Sequence, residues 1–172
     1  MKASWTLGRA PVQPDASHAL QAHVSALTTL GTGSAIGVGI DCELISKVER
    51  ANRVGGKRRL DRLFTRSEQI EIQDDVTRQA GRFAAKEAVA KALGTGFRNG
   101  LAGRHIEILA NAAGQPFVVL SGPAAIQATQ TKVARCLVSW TYNGDTVTAV
   151  ALAVGEPDTP HPPLPLSKED AS

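Results

Sequence analysis

Residues 36–41, Ile-Gly-Val-Gly-Ile-Asp, alternate apolar side chains with glycine, which is the two-residue period of a strand, and the run ends on a carboxylate. From Glu43 onward the pattern turns helical. Thr65-Arg66-Ser67-Glu68 has the form of a capping box and predicts a short helix. Asp75 is placed to cap a long helix that carries residues 82–91. In that helix Ala80, Ala84, Ala88 and Ala92 recur at every fourth position, a row of small residues that lets another backbone come close. Gly94-Thr95-Gly96 supplies its stop.

Strands at 105–109 and 117–120 flank an Asn-Ala-Ala-Gly-Gln-Pro turn, and Pro123 opens a helix over 123–132. Residues 135–142 and 146–154 form a second hairpin across Asn143-Gly144-Asp145. The expected fold class is α+β, a mainly antiparallel sheet with helices packed on one side. The domain spans 36–154. A polar, turn-rich N-terminal extension (1–35, with a weak helix at 18–27) and a Pro-rich C-terminal tail (155–172) flank it as loosely held segments.

Composition narrows the class. The 172 residues suit one domain, 42% hydrophobic content can build a core, and no apolar run is long enough to cross a membrane. The first 34 residues carry Lys2 and Arg9, but prolines, Asp15 and two histidines interrupt them before an apolar block forms, so no signal peptide is read and the expected location is cytoplasmic. Cys42 and Cys136 are too few and too far apart for a disulfide framework or a zinc site, and both read as buried apolar filling.

Candidate chemistry lies in residues 81–96, Gly-Arg-Phe-Ala-Ala-Lys-Glu-Ala-Val-Ala-Lys-Ala-Leu-Gly-Thr-Gly. Arg82 and Lys86, and Glu87 and Lys91, are each four residues apart and share a helix face. A carboxylate set between two lysines on a helix ending in glycines reads as a metal and phosphate site. Its plain alternative is a surface ion pair of about 0.3–0.5 kcal/mol. Asp41 at a strand exit reads alone as the cap of the helix that follows.

Taken together, Gly-Ile-Asp at 39–41, Arg-Phe-Ala-Ala-Lys-Glu-Ala at 82–88 and Lys-Ala-Leu-Gly-Thr-Gly at 91–96 resemble the holo-acyl-carrier-protein synthase family of 4′-phosphopantetheinyl transferases. The resemblance continues through Leu-Phe-Thr-Arg-Ser-Glu at 63–68, Phe-Arg-Asn-Gly-Leu at 97–101, Ile-Glu-Ile at 106–108 and Gly-Gln-Pro at 114–116, and covers roughly residues 36–154. It implies transfer of the phosphopantetheine arm of coenzyme A to a serine of an apo acyl carrier protein, with release of adenosine 3′,5′-bisphosphate. It further implies a Mg²⁺ ion held by Asp41 and Glu87, and Lys91 on a phosphate. Lys86 matches a position beside the reacting centre, where it orients a phosphate or assists proton removal. Arg82 matches a phosphate or nucleotide contact, with a tie to a neighbouring loop as the alternative. Gly94, Thr95 and Gly96 match the coenzyme A side of the site. Family resemblance also implies a homotrimer.

This chain leaves the family pattern twice. A glutamate is usual three residues after the strand-end aspartate, and here Leu44 holds that place with Glu43 one position earlier. A histidine near the coenzyme A nucleotide is replaced by Tyr142. Those departures motivate an alternative, a catalytically quiet carrier-binding module with the same fold. Lys47, Arg50, Arg53, Lys57, Arg58, Arg59, Arg62 and Arg66 stand against only Glu49 and Asp61 between residues 47 and 66. Such a basic face suits an acidic carrier, with Lys47, Arg50 and Arg53 as docking residues. With a formal charge of +3, 4% aromatics and no recognition motif, nucleic acid is not an expected partner.

Overall fold

The computed structural model describes residues 35–156 apart from Asn99. The expected N-terminal extension through residue 34, its helix at 18–27 and the tail from residue 157 lie outside the described residues. Element order is β1 (Ala35–Leu44), α1 (Ile45–Leu63), α2 (Arg66–Ile72), α3 (Val76–Ala92), a 3₁₀ turn (Gly103–His105), β2 (Ile106–Ala110), β3 (Pro116–Leu120), α4 (Gly122–Gln130), β4 (Val133–Asn143) and β5 (Thr146–Gly155). The strands form a three-stranded sheet in the order β1-β5-β4 and a separate β2-β3 hairpin, all antiparallel. This is the α+β class that the hydrophobic pattern predicts. No helix among the described residues is long and apolar enough to cross a membrane.

One face of the three-stranded sheet lies on α3. Because strand side chains alternate, the rows facing the helix are Gly37–Ala153–Cys136, Gly39–Ala151–Val138, Asp41–Ala149–Trp140 and Glu43–Val147–Tyr142. The small-residue row of α3 meets them, with Ala80, Ala84 and Ala88 fully buried. The approach is backbone on backbone: a Cβ added to Gly39 would lie 2.0 Å from the Ala88 carbonyl oxygen, and one on Gly37 2.1 Å from that of Ala92. Glycine at these strand positions is therefore a packing requirement. On the other face, Val38, Ile40, Leu44 and Leu137 remain 42–55% exposed.

The capping residues act as their positions predict. Thr65 Oγ1 accepts from the Glu68 N–H while Glu68 Oε2 accepts from the Thr65 N–H, a complete capping box. Asp75 Oδ1 accepts from the N–H groups of Thr77 and Arg78 at the start of α3. Helix α1 differs from a simple helix in two ways. It kinks at Gly56, whose φ of 51° follows from the Gly55-Gly56 pair. Its N-terminus is capped from the β4–β5 turn: Asp145 accepts the Ser46 N–H (2.9 Å) and the Ser46 hydroxyl (2.6 Å), and its carbonyl accepts the Ile45 N–H (2.8 Å). Asp145, and not Asp41, thus supplies the capping side chain of this helix.

One smaller expectation is corrected. Cys136 is buried, but Cys42 is exposed, because it falls on the sheet face turned away from α3, with its sulfur 2.9 Å from Thr148 Oγ1. Of the eight basic residues between 47 and 66, Lys57 and Arg66 line one cleft and Arg58, Arg59 and Arg62 another.

Candidate active site

Asp41 leaves β1 on the face that looks at α3, and Glu87 and Lys91 lie on the part of α3 beneath it. Lys91 Nζ donates to Asp41 Oδ1 (2.8 Å) and to the Ile40 carbonyl (2.9 Å), tying helix to strand end. Asp41 Oδ2 is buried with no hydrogen-bond partner among the described residues. An orphaned carboxylate oxygen is costly unless something else meets it. The Glu87 carboxyl is half-buried and pushed up from its usual range, first by loss of solvent and then by the charges of Asp41 and Glu43. Lys91 is held above its usual value, chiefly by its hydrogen bond to Asp41.

Strand alternation resolves the Glu43 and Leu44 departure. Glu43 stands two residues after Asp41 and so shares its face, while Leu44 points to the exposed side of the sheet. Glu43 is bonded to Lys47 (3.1 Å), one helical turn on, and its charge reaches Glu87 and Lys91. The site thus gathers three carboxylates, and its two lysines leave one oxygen of Asp41 unmet.

A divalent cation fits this arrangement. Among the described residues no three His, Cys, Asp or Glu side chains stand close enough to form a protein cage for a metal. Mg²⁺ needs none, since it takes one or two carboxylates and fills its octahedron with water and phosphate oxygens. Asp41 Oδ2 and the strained charge of Glu87 are the donors such an ion would use.

Lys86 does not join the site, which corrects its placement beside the reacting centre. It points about a quarter-turn from Glu87 and is fully buried. All three of its protons are committed, to Glu68 Oε2 (2.8 Å), the Gly103 carbonyl (2.9 Å) and the Ile106 carbonyl. Glu68 is likewise buried, and its Oε1 accepts from the Ile108 N–H at 3.0 Å. Lys86 is therefore a structural cation that joins α3 to α2, the 3₁₀ turn and β2. The sequence shows Glu68 as a capping residue, but nothing in it announces the pairing with a lysine 18 positions later.

Arg82 takes the alternative offered for it and ties α3 to its neighbours. Its Nε donates to the Ile108 carbonyl (3.2 Å) and its Nη2 bonds Glu71. It also lines a cleft of about 260 Å³ with Gly114, Pro116 and Trp140. The Tyr142 hydroxyl accepts from Trp140 Nε1 (3.0 Å) and donates to the Thr77 carbonyl (3.3 Å). Its proton is thus spent inside the chain, at the position where the family pattern has its histidine. Gly94, Thr95 and Gly96 form the end of α3 just past Lys91, with the Thr95 and Gly96 N–H groups turned back onto the Ala90 carbonyl. Lys47, Arg50 and Arg53 are exposed on the first half of α1, with Lys47 paired to Glu43 and Arg53 to Glu49.

Residues 37–151 match the family model of the 4′-phosphopantetheinyl transferase superfamily. A holo-[acyl-carrier-protein] synthase of Solidesulfovibrio magneticus is 42% identical over 120 residues, covering 69% of this chain and 98% of that protein. Among solved structures, the holo-[acyl-carrier-protein] synthase of Neisseria meningitidis is 34% identical with a TM-score of 0.63, over 69% of this chain and 98% of that one. The Helicobacter pylori enzyme in complex with coenzyme A is 26% identical with a TM-score of 0.62, over 67% and 98%. With the strand-end aspartate, the helix carboxylate and the sheet on α3 all falling inside the matched span, the chain belongs to the holo-acyl-carrier-protein synthase family of 4′-phosphopantetheinyl transferases.

Proposed function

We propose that this protein transfers the 4′-phosphopantetheine group of coenzyme A to a serine hydroxyl of an apo acyl carrier protein, giving the holo carrier and adenosine 3′,5′-bisphosphate. The reaction is a phosphoryl transfer, and its obstacle is negative charge on the pyrophosphate, which repels the incoming oxygen and grows on the leaving phosphate. Asp41 and Glu87 would hold Mg²⁺, which when bound would supply charge neutralisation at the pyrophosphate. Lys91 presents a further cation at the phosphate. The single observation that carries this reading is the buried, partnerless Asp41 Oδ2, on a carboxylate that is bonded to Lys91 through its other oxygen and whose charge raises the Glu87 carboxyl.

Other roles follow from the same placement. Arg82 lines a cleft with Gly114 and Pro116, a position suited to the nucleotide end of coenzyme A, and Gly94, Thr95 and Gly96 follow Lys91 past the end of α3, which suits them to the phosphate side. Lys47, Arg50 and Arg53 project from α1 as donors for an acidic carrier. The assembly is a homotrimer. The exposed apolar face formed by Val38, Ile40, Leu44 and Leu137 supports burial against other copies. Cytoplasmic location agrees with both substrates.

Incubation with coenzyme A, Mg²⁺ and a panel of apo carriers, read by intact mass, tests the proposal. A phosphopantetheine adduct on a carrier serine, lost when Mg²⁺ is chelated, is expected. Binding of a carrier without any adduct would instead favour the catalytically quiet module.

A further inference from the structure

We propose that a second cleft, formed by the end of α1, the start of α2, the 3₁₀ turn and the start of α4, binds a small phosphate-bearing anion. The cleft has a volume of about 400 Å³, and Arg66, Arg104, His105 and Ser121 line it together with Lys57 and Asp61. None of these belongs to β1 or α3, the elements that carry Asp41, Glu87 and Lys91, so this is a site apart from the transfer centre.

Hydrogen-bond donors dominate the lining, and little there competes for them. Asp61 is the one carboxylate, and it is already engaged by Lys57 (3.2 Å) and the Gln69 amide (3.2 Å). Among the described residues neither Arg66 nor Arg104 meets a carboxylate within ion-pair distance. Two guanidiniums thus remain with their planar forks unspent, the geometry that pairs best with phosphate oxygens.

His105 adds a donor of defined tautomer. Its Nδ1 accepts the Ala102 N–H at 3.0 Å, so in the neutral ring the proton sits on Nε2. That atom lies beside the first residue of α4: a Cβ on Gly122 would be 3.7 Å from it. Ser121 is locked to the same histidine, because its N–H donates to the His105 carbonyl at 2.9 Å, while its hydroxyl caps no N–H of α4. Ser121 and His105 therefore line the same cleft as the two arginines. A group with several acceptor oxygens and no protons of its own satisfies such a set, and a carboxylic ester or a neutral sugar does not. Desolvation, and then the charge of Arg104, hold the His105 imidazole below its usual range, and a bound anion offsets the influence of that charge.

The test is titration of the full chain with inorganic phosphate, inorganic pyrophosphate and adenosine 3′,5′-bisphosphate in separate arms, without Mg²⁺, while NMR follows the imidazole signals. The signal absent in His105→Gln belongs to His105. A saturable shift of that signal is expected in at least one arm, with the tightest arm identifying the source of the phosphate. Arg66→Gln and Arg104→Gln should each weaken it at least tenfold, and Asp41→Ala should leave it unchanged. Both arginines are exposed, so these variants retain the fold, and a thermal melt of each checks this. No saturable shift in any arm, a shift indifferent to both arginine variants, or one abolished by Asp41→Ala would overturn the proposal.

Discussion

Replacing Lys86 with methionine separates a structural from a catalytic lysine. The substitution keeps the aliphatic stem and removes the ammonium that three acceptors share. The Glu68 carboxylate would then remain fully buried with only the N–H groups of Thr65 and Ile108, and the Gly103 and Ile106 carbonyls would each lose the lysine's hydrogen bond. Burial acts against both charges, raising the Glu68 carboxyl and lowering the Lys86 ammonium, so each depends on the other to stay ionised. Breaking a buried pair from one side costs about 3–5 kcal/mol, a large part of the roughly 5–15 kcal/mol that holds a domain together. For a chain of this size that is a fall in Tm of about 6–20 °C. Urea titration of the purified protein should show a lower midpoint with an unchanged slope. Adding Glu68→Gln to Lys86→Met should recover part of the loss by removing the stranded charge. At a temperature where the single variant is folded, its kcat should stay within a few-fold of wild type. A variant that melts like wild type, or one that is stably folded yet loses more than about a hundredfold in kcat, would refute the structural assignment.

Three other outcomes are expected. The raised Glu87 carboxyl contributes stability when protonated, fully present below the ordinary glutamate range and lost as pH rises through its folded value. Glu87→Gln should accordingly melt higher than wild type near pH 7 in metal-free buffer, match it near pH 4, and lose both transfer and the Tm gain on adding Mg²⁺. Equal melting at both pH values would remove the charge crowding inferred at the site. Charge reversal at Lys47 and Arg50 should raise the KM for the carrier far more than that for coenzyme A, with a salt dependence set by a screening length of about 8 Å; equal rises in both would point away from docking. Tyr142→Phe should cost about 0.5–1.5 kcal/mol in urea unfolding, by leaving Trp140 and Thr77 without their shared hydroxyl, and should leave the KM for coenzyme A within twofold. A marked rise in that KM would put the hydroxyl at the nucleotide.

Local chemistry made much of this legible. The capping box at Thr65 and Glu68, the Asp75 cap and the alternation around Asp41 are short-range signals, decided within a few residues, and they stand in the structure where the pattern puts them. The small-residue stripe of α3 likewise predicts close backbone contact, although not which strand supplies it. What escaped was set by partners distant in sequence. Lys86 adjoins Glu87 in the same motif, and only the arrival of Glu68, Gly103 and Ile106 makes it a buried anchor. Asp145 reads as a turn residue, yet it caps a helix 100 positions earlier. Cys42 shows the same limit, for its exposure depends on which face of β1 the sheet leaves open. A misplaced glutamate looked like a defect in the linear pattern, and pairing of β1 with β5 turned Glu43 toward the site.

That pairing also orders events during synthesis. Among the described residues strand β1 has a single sheet neighbour, β5, and Asp41 stands opposite Ala149. The ribosome must add roughly a hundred residues between the two, which takes about 5–20 s at the usual ~5–20 residues per second. Through that interval β1 has left the ribosome with its unpaired edge and its Val38 and Ile40 side chains uncovered, while α3 waits without the sheet that seats it. A nascent chain stalled before β5 holds both carboxylates and cannot bring them into register. The last of the described strands to be made is therefore the one that assembles the site.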